Sequence, residues 1–184
     1  MSGAERKCAV DAVIITGQAR SGKTALALHV SQWGYFVIRA SAVVAEMVAP
    51  GQRPTRRLLL EIGSQFESAS QQIAFGERLL EHAAGHREVV FDGVRLPGAV
   101  EKIRAAFTCA KLVYVQTSES IRRQRFAETD DGTMTFDEVN CHAVEQSVLP
   151  LKEAADLILD GSSPIESNLR KLSLLMDCHP AKLD

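Results

Sequence analysis

The segment Gly17-Gln18-Ala19-Arg20-Ser21-Gly22-Lys23-Thr24 sets two glycines, a lysine and a hydroxyl at the spacing G-x-x-x-x-G-K-[ST]. Each type has a physical task. Gly17 and Gly22 let the backbone curl so that its N–H groups converge into a nest for phosphate oxygens. The Lys23 ammonium can span the β- and γ-phosphates, and Thr24 offers a hydroxyl to Mg²⁺. An apolar, β-branched run from Val10 to Thr16 leads in. A helical pattern leads out, so the amino end of a helix adds a favourable dipole. The implied chemistry is binding of ATP or a related nucleoside triphosphate with Mg²⁺. The loop alone leaves the reaction open, because ATPases, GTPases and kinases share it.

Further along, Val89-Val90-Phe91-Asp92 places a carboxylate after an apolar strand. Asp92 can act on Mg²⁺, directly or through water, or accept the proton of an acceptor hydroxyl; its plainer role is to cap the next turn. Arg95 follows three residues later, where a guanidinium can clamp an anionic group bidentately or serve as a surface ion pair. Arg122 and Arg125 stand at i and i+3, on one helix face, with Arg123 pointing elsewhere. Beside the polar stretch from Thr129 to Thr133 they suit a mobile lid that neutralises charge on a transferring phosphoryl group, or else a solvated face. Lys23, Asp92, Arg122 and Arg125 are therefore the catalytic candidates, and Thr24 and Asp92 the candidate metal ligands.

These residues need a scaffold. Short apolar runs over Val10–Thr16, Tyr35–Ala40, Glu88–Phe91, Leu112–Val115 and Asp156–Leu159 read as strands. Helical patterns alternate with them. They cover Lys23–Trp33, Ser41–Ala49 with Ser41 as cap, about 55–68 and 70–84, Gly98–Phe107, Ser118–Glu128, about 136–147 and 164–176. His29 falls on the apolar stripe of the first helix. Leu58, Leu59, Ile62 and Phe66 form the buried stripe of one later helix; Ile73, Leu79 and Leu80 anchor the next. Residues 1–8 read as an irregular start. Strands alternating with helices imply a parallel sheet covered on both faces, with ligands beyond the carboxyl ends of its strands. The glycine turn and Asp92 both fall there.

Composition narrows the classes. A chain of 184 residues, 46% hydrophobic and 24% charged, suits one α/β domain. A net charge of −2 counts against a broad electrostatic grip on nucleic acid or an anionic membrane. The cysteines at 8, 109, 141 and 178 form no CxxC, which fits a reducing cytoplasm better than a disulfide framework, and Cys141-His142 and Cys178-His179 lack metal-site spacing. Neither a signal peptide nor a membrane span is expected.

A guanine-reading N/T-K-x-D and a D-x-x-G element, both expected of a GTPase switch, are absent. The chain instead resembles the P-loop nucleoside monophosphate kinases, in the adenylate-kinase-like and dephospho-coenzyme-A-kinase-like branch. The resemblance runs from about 13 to 175. It rests on the loop GQARSGKT, Pro54-Thr55-Arg56, Phe91-Asp92-Gly93-Val94-Arg95-Leu96-Pro97, Ser118 to Arg125, and Ala155 to Gly161. It implies a three-layer P-loop NTPase fold with a five-stranded parallel sheet in one domain spanning 1–184. It further implies a helical acceptor-binding insertion at about 41–84 and a lid at about 117–148. Residues Gly17 to Thr24, with Asp160, Gly161 and Ser162, would hold ATP; Ser41, Arg56 and Arg95 would hold the acceptor.

Two departures stand out. The closing loop reads Asp160-Gly161-Ser162-Ser163 where the family often has Asn-x-Gly, and no arginine occurs between Phe126 and Leu169. The resulting expectation is an ATP- and Mg²⁺-dependent kinase of a nucleotide-like small molecule, foremost a (deoxy)nucleoside monophosphate. The alternatives are a dephospho-coenzyme-A-kinase-like or modified-nucleotide kinase, and a nucleotide-binding regulatory protein with weak or lost transfer.

Overall fold

The computed structural model describes residues 10–128 and 132–176. The expected irregular start over 1–8, Cys8, Cys178-His179 and Thr129 to Asp131 of the expected turn lie outside them.

Five strands form one parallel sheet in the order β2-β3-β1-β4-β5, with β1 Ala12–Thr16, β2 Phe36–Arg39, β3 Val89–Asp92, β4 Ala110–Gln116 and β5 Leu157–Asp160. The central strand β1 is wholly buried, which is why it reads as a continuous apolar run instead of an alternating one. Its register sets Ile15 beside Asp92 of β3 and Thr16 beside Tyr114 of β4, so the phosphate loop and Asp92 leave the sheet side by side. Cross-links fix this edge. Gly93 N–H donates to Ile15 O at 2.8 Å and the Thr16 hydroxyl donates to Val94 O at 2.6 Å.

Helices cover both faces. Leu26 and Val30 of α1 (Lys23–Ser31) and Leu169 and Leu172 of α9 (Ile165–Leu175) pack with Val13, Ile15 and Val113 on one face. The other face takes α2 (Ala40–Ala45), α3 (Arg56–Gly63), α4 (Ala69–Ala83) and α5 (Pro97–Ala106) around Ile14, Phe91 and Leu112. Then come α6 (Glu119–Ala127), α7 (Phe136–Asn140), α8 (Ala143–Gln146) and one turn of 3-10 helix at Leu149–Lys152. Among the described residues no helix is long and apolar enough to cross a membrane.

Three expectations need correction. Ser41 does not cap α2; Arg39, in extended conformation, precedes the helix, and Ser41 lies inside its first turn, exposed. In α4, Ile73 is 39% exposed, and the buried face is made by Phe75, Gly76, Leu79 and Ala83. Gly76 and Gly98 are what let α4 and α5 approach, since a Cβ on Gly76 would come within 2.9 Å of Lys102 Cβ. Finally, the helix expected over 136–147 is two short helices. Thr135 and Glu138 form a capping box for α7. The chain then turns at extended His142, whose imidazole accepts from Val144 N–H. This break changes which residues of the segment face inward.

Candidate active site

The phosphate loop is strained and braced. Gly17 and Gly22 hold φ of 137° and 101°, and Arg20 holds 64°, which costs a residue with a Cβ about 1–3 kcal/mol. Its neighbours maintain it. The Thr117 hydroxyl donates to Ser21 O at 2.9 Å, and Arg125 donates to Arg20 O at 3.3 Å and to Gly161 O at 2.8 Å. Gly161 is pressed onto the loop, where a Cβ would overlap Ser21 O and the Thr117 hydroxyl. That close approach gives the Asp160-Gly161 position its requirement for glycine. Asp160 turns its carboxylate onto Ser162 and Ser163, and these hydrogen bonds hold it below the usual carboxylate range.

Lys23 is 7% exposed and donates to Gln18 O at 2.6 Å. Burial, aided by the nearby Arg95 charge, lowers its pKa from 10.5 to about 8. Thr24 donates its hydroxyl to Asp92 Oδ2 at 2.8 Å, while Asp92 Oδ1 is buried without a partner. A hydroxyl and a half-satisfied carboxylate fit Mg²⁺, which takes few protein ligands and keeps water and phosphate oxygens for the rest. Once bound, the ion would neutralise charge on the phosphates.

Two cavities meet at this loop, and Arg20, Lys23 and Thr24 line both. The first, of about 390 Å³, lies on the insertion side. Val44, Leu59, Phe66 and Phe75 give it an apolar wall, and Ser41, Arg56, Asp92, Arg95 and Glu145 give it polar groups. The second, of about 550 Å³, runs between α1, Arg125 and the Gly161 turn toward Ile165 and Asn168. The structure thus brings Ser41, Arg56 and Arg95 to one cavity and Gly161 to the other.

The two lid arginines diverge. Arg122 is 4% exposed, lies over the Phe136 ring and donates to Asn140 Oδ1 at 2.9 Å, whereas Arg125 reaches the loop backbone. Arg123 points outward and pairs with Asp137 and Glu119. The segment expected to form a mobile lid packs on the loop instead of standing off it. Ala19 and Leu60 join Phe126, Met134, Phe136, Val139 and Val144 in one apolar cluster, and Arg57 donates to Thr133 O at 3.0 Å.

One residue escaped the sequence reading. Glu145 of α8, 1% exposed, accepts from the loop amide Ala19 N–H at 2.7 Å and from Arg95 at 2.8 Å. Arg95 therefore already has a carboxylate partner inside the cavity.

No family model and no curated protein sequence matches the chain. Solved structures do match. A shikimate kinase from Bacteroides thetaiotaomicron superposes with TM-score 0.63 and 16% identity, over 92% of this chain and 99% of that one. An APS kinase from Mycobacterium tuberculosis, solved with AMPPNP and APS, gives 0.60 and 15%, over 92% and 98%. A gluconokinase from Sinorhizobium meliloti gives 0.56 and 17%, over 90% and 91%. What the chain shares with all three is architecture: it has the fold of the P-loop kinases of the adenylate-kinase-like type.

Proposed function

We propose that the protein transfers the γ-phosphoryl group of ATP, with Mg²⁺, to a small acceptor. The observation that carries this reading is the meeting of two cavities at one lysine. A triphosphate laid along the loop from the Gly161 side ends at Lys23, and Lys23 also lines the insertion-side cavity. Donor and acceptor would thus meet in line across an ammonium, which is most of what phosphoryl transfer asks of a protein. Thr24 and Asp92 hold the ion, Lys23 balances the charge that moves from the γ-phosphate to the leaving group, and Arg122 and Arg125 steady the closed lid.

The acceptor in this reading is nucleotide-like. Val44, Leu59, Phe66 and Phe75 offer an apolar wall for a ring, while Arg56 and Ser41 offer polar contacts at the same cavity. A (deoxy)nucleoside monophosphate is the leading case; a nucleotide-like molecule that presents a hydroxyl to Lys23 is the other. The test is ADP formation from ATP and Mg²⁺, with nucleosides, nucleoside monophosphates and a no-acceptor control. Acceptor-stimulated ADP release is expected. Tight ATP binding without turnover on any acceptor would favour the nucleotide-binding regulatory alternative.

A further inference from the structure

On the Gly161 side of the donor-side cavity stands an amide with one end unused. Asn168 of α9 lines the cavity with Gly161, Ser163 and Ile165, and is only 4% exposed. Its Nδ2 donates to Asp160 O at 2.8 Å, across the turn that follows β5. Its Oδ1 is buried and finds no partner among the described residues. The bond to Asp160 settles which end of the amide is which, because exchanging nitrogen and oxygen would set two carbonyl oxygens against each other. A buried acceptor with nothing to accept is costly to a fold, so a ligand that donates to it is favoured.

A triphosphate laid along the loop toward Lys23 leaves its nucleoside on this side. Ile165, half-buried, offers apolar surface to a ring. The neighbouring acceptors are engaged: Gly161 O by Arg125, Asp160 O by Asn168, and the Asp160 carboxylate by Ser162 and Ser163. Asn168 Oδ1 is left as a fixed acceptor beside the base. Adenine carries an exocyclic amino group, an N–H donor, where guanine and hypoxanthine carry a carbonyl. The amino group satisfies Oδ1. The carbonyl leaves it unmet and sets lone pair against lone pair.

We propose that Asn168 selects the base of the triphosphate, its Oδ1 accepting from the exocyclic amino group of adenine and disfavouring a purine with a carbonyl at that carbon. This rests on the donor-side cavity holding a nucleoside triphosphate, and it narrows that reading to an adenine nucleotide. Asn168 touches no reacting atom. Its effect falls on nucleotide affinity and not on the chemical step.

The experiment titrates the full chain, with Mg²⁺, against ATP, inosine triphosphate and GTP by calorimetry. Inosine triphosphate isolates the amino-to-carbonyl change. Wild type should hold ATP about tenfold or more tighter than either of the others. Asn168→Ala should bring ATP and inosine triphosphate within about threefold of each other, chiefly by weakening ATP, and Asn168→Leu, similar in size but without hydrogen-bonding groups, should do the same. Melting temperatures show whether both variants fold, and the wild-type ratio needs no variant. Wild type that holds ATP and inosine triphosphate within about twofold overturns the inference and leaves the kinase reading intact. A folded Asn168→Ala or Asn168→Leu protein that keeps the wild-type ratio overturns the role of Asn168 in the same way. Binding of none of the three overturns the kinase reading and the inference with it.

Discussion

The two cavities that meet at Lys23 are built in opposite ways. On the donor side the contacts end on backbone: Lys23 on Gln18 O, Thr117 on Ser21 O, Arg125 on Arg20 O and Gly161 O, Asn168 on Asp160 O. On the acceptor side the side chains meet one another, Thr24 with Asp92 and Arg95 with Glu145, although Glu145 also accepts from the backbone N–H of Ala19. Backbone is the same in every sequence, so a backbone-built cradle needs only glycines at the tight points and one lysine. It suits a ligand part, such as a triphosphate, that many proteins share. A cavity walled by side chains from α2, α3, β3 and α8 changes with each substitution and is where selectivity for one acceptor can reside.

The sharpest way to break the comparison is at the shared point. Lys23→Ala should reduce transfer by about 10²–10³-fold, the loss typical of one charge contact made in the transition state. Turnover near wild type would remove the loop from the chemistry. Next in size are Arg122 and Arg125, whose contacts hold the α6–α7 segment and the loop backbone in place. Arg122→Ala and Arg125→Ala should each lower turnover by up to about 10²-fold through misplacement of the loop, with ATP affinity, read by calorimetry, falling only modestly. Equal, small effects at both would make the lid a cover and nothing more.

Gly161→Ala tests the donor side alone. The added methyl meets loop backbone that has no room to move, so a cost of about 1–3 kcal/mol in stability is expected. ATP affinity should weaken with it while acceptor affinity does not. A fall in acceptor affinity instead would mean that the two cavities are not separable.

Lys23 also gives a pH signature. The unfolded chain holds the Lys23 proton up to its ordinary value of 10.5, and the folded chain only up to about 8. Between these values the unfolded state binds more protons, so this contribution makes the ligand-free protein more stable as pH rises across that window. A triphosphate favours the ammonium form, so ATP affinity should fall above about pH 8, by up to about tenfold per pH unit. Lys23→Met should flatten both trends, in thermal melts and in titrations. The smallest effect is expected at Arg123, whose exposed pairs with Asp137 and Glu119 lie off the site: Arg123→Ala should leave turnover within about twofold.

What could be read from sequence follows the same division. The phosphate loop is eight consecutive residues between a strand and a helix, so its chemistry is written locally, and the order of strands and helices carries the sheet. Asp92 and Arg95 were legible because they follow an apolar strand, and ligands gather at strand ends. Glu145 was not. It lies 126 residues from Ala19 in the chain, and as part of one continuous helix it is simply another acidic residue. The break at His142 turns it inward; the only local hint is the Thr135–Glu138 capping box, which marks where α7 starts but not where it ends. Ser41 was misplaced for a related reason. A serine before a helical pattern reads as a cap, but here Arg39 takes the extended position and the helix begins earlier.

The central claim, that a triphosphate on the loop and an acceptor in the insertion-side cavity react across Lys23, is tested most directly by following the γ-phosphoryl group itself. ATP labelled at that position is mixed with excess protein, Mg²⁺ and the most stimulating acceptor, and the label is traced through a single turnover in wild type and Lys23→Ala. The account predicts that label leaves ATP for the acceptor one-for-one with ADP formation, and that Lys23→Ala slows this about 10²–10³-fold. Label that stays in bound ATP, or that goes to inorganic phosphate at the same rate with and without acceptor, would contradict it.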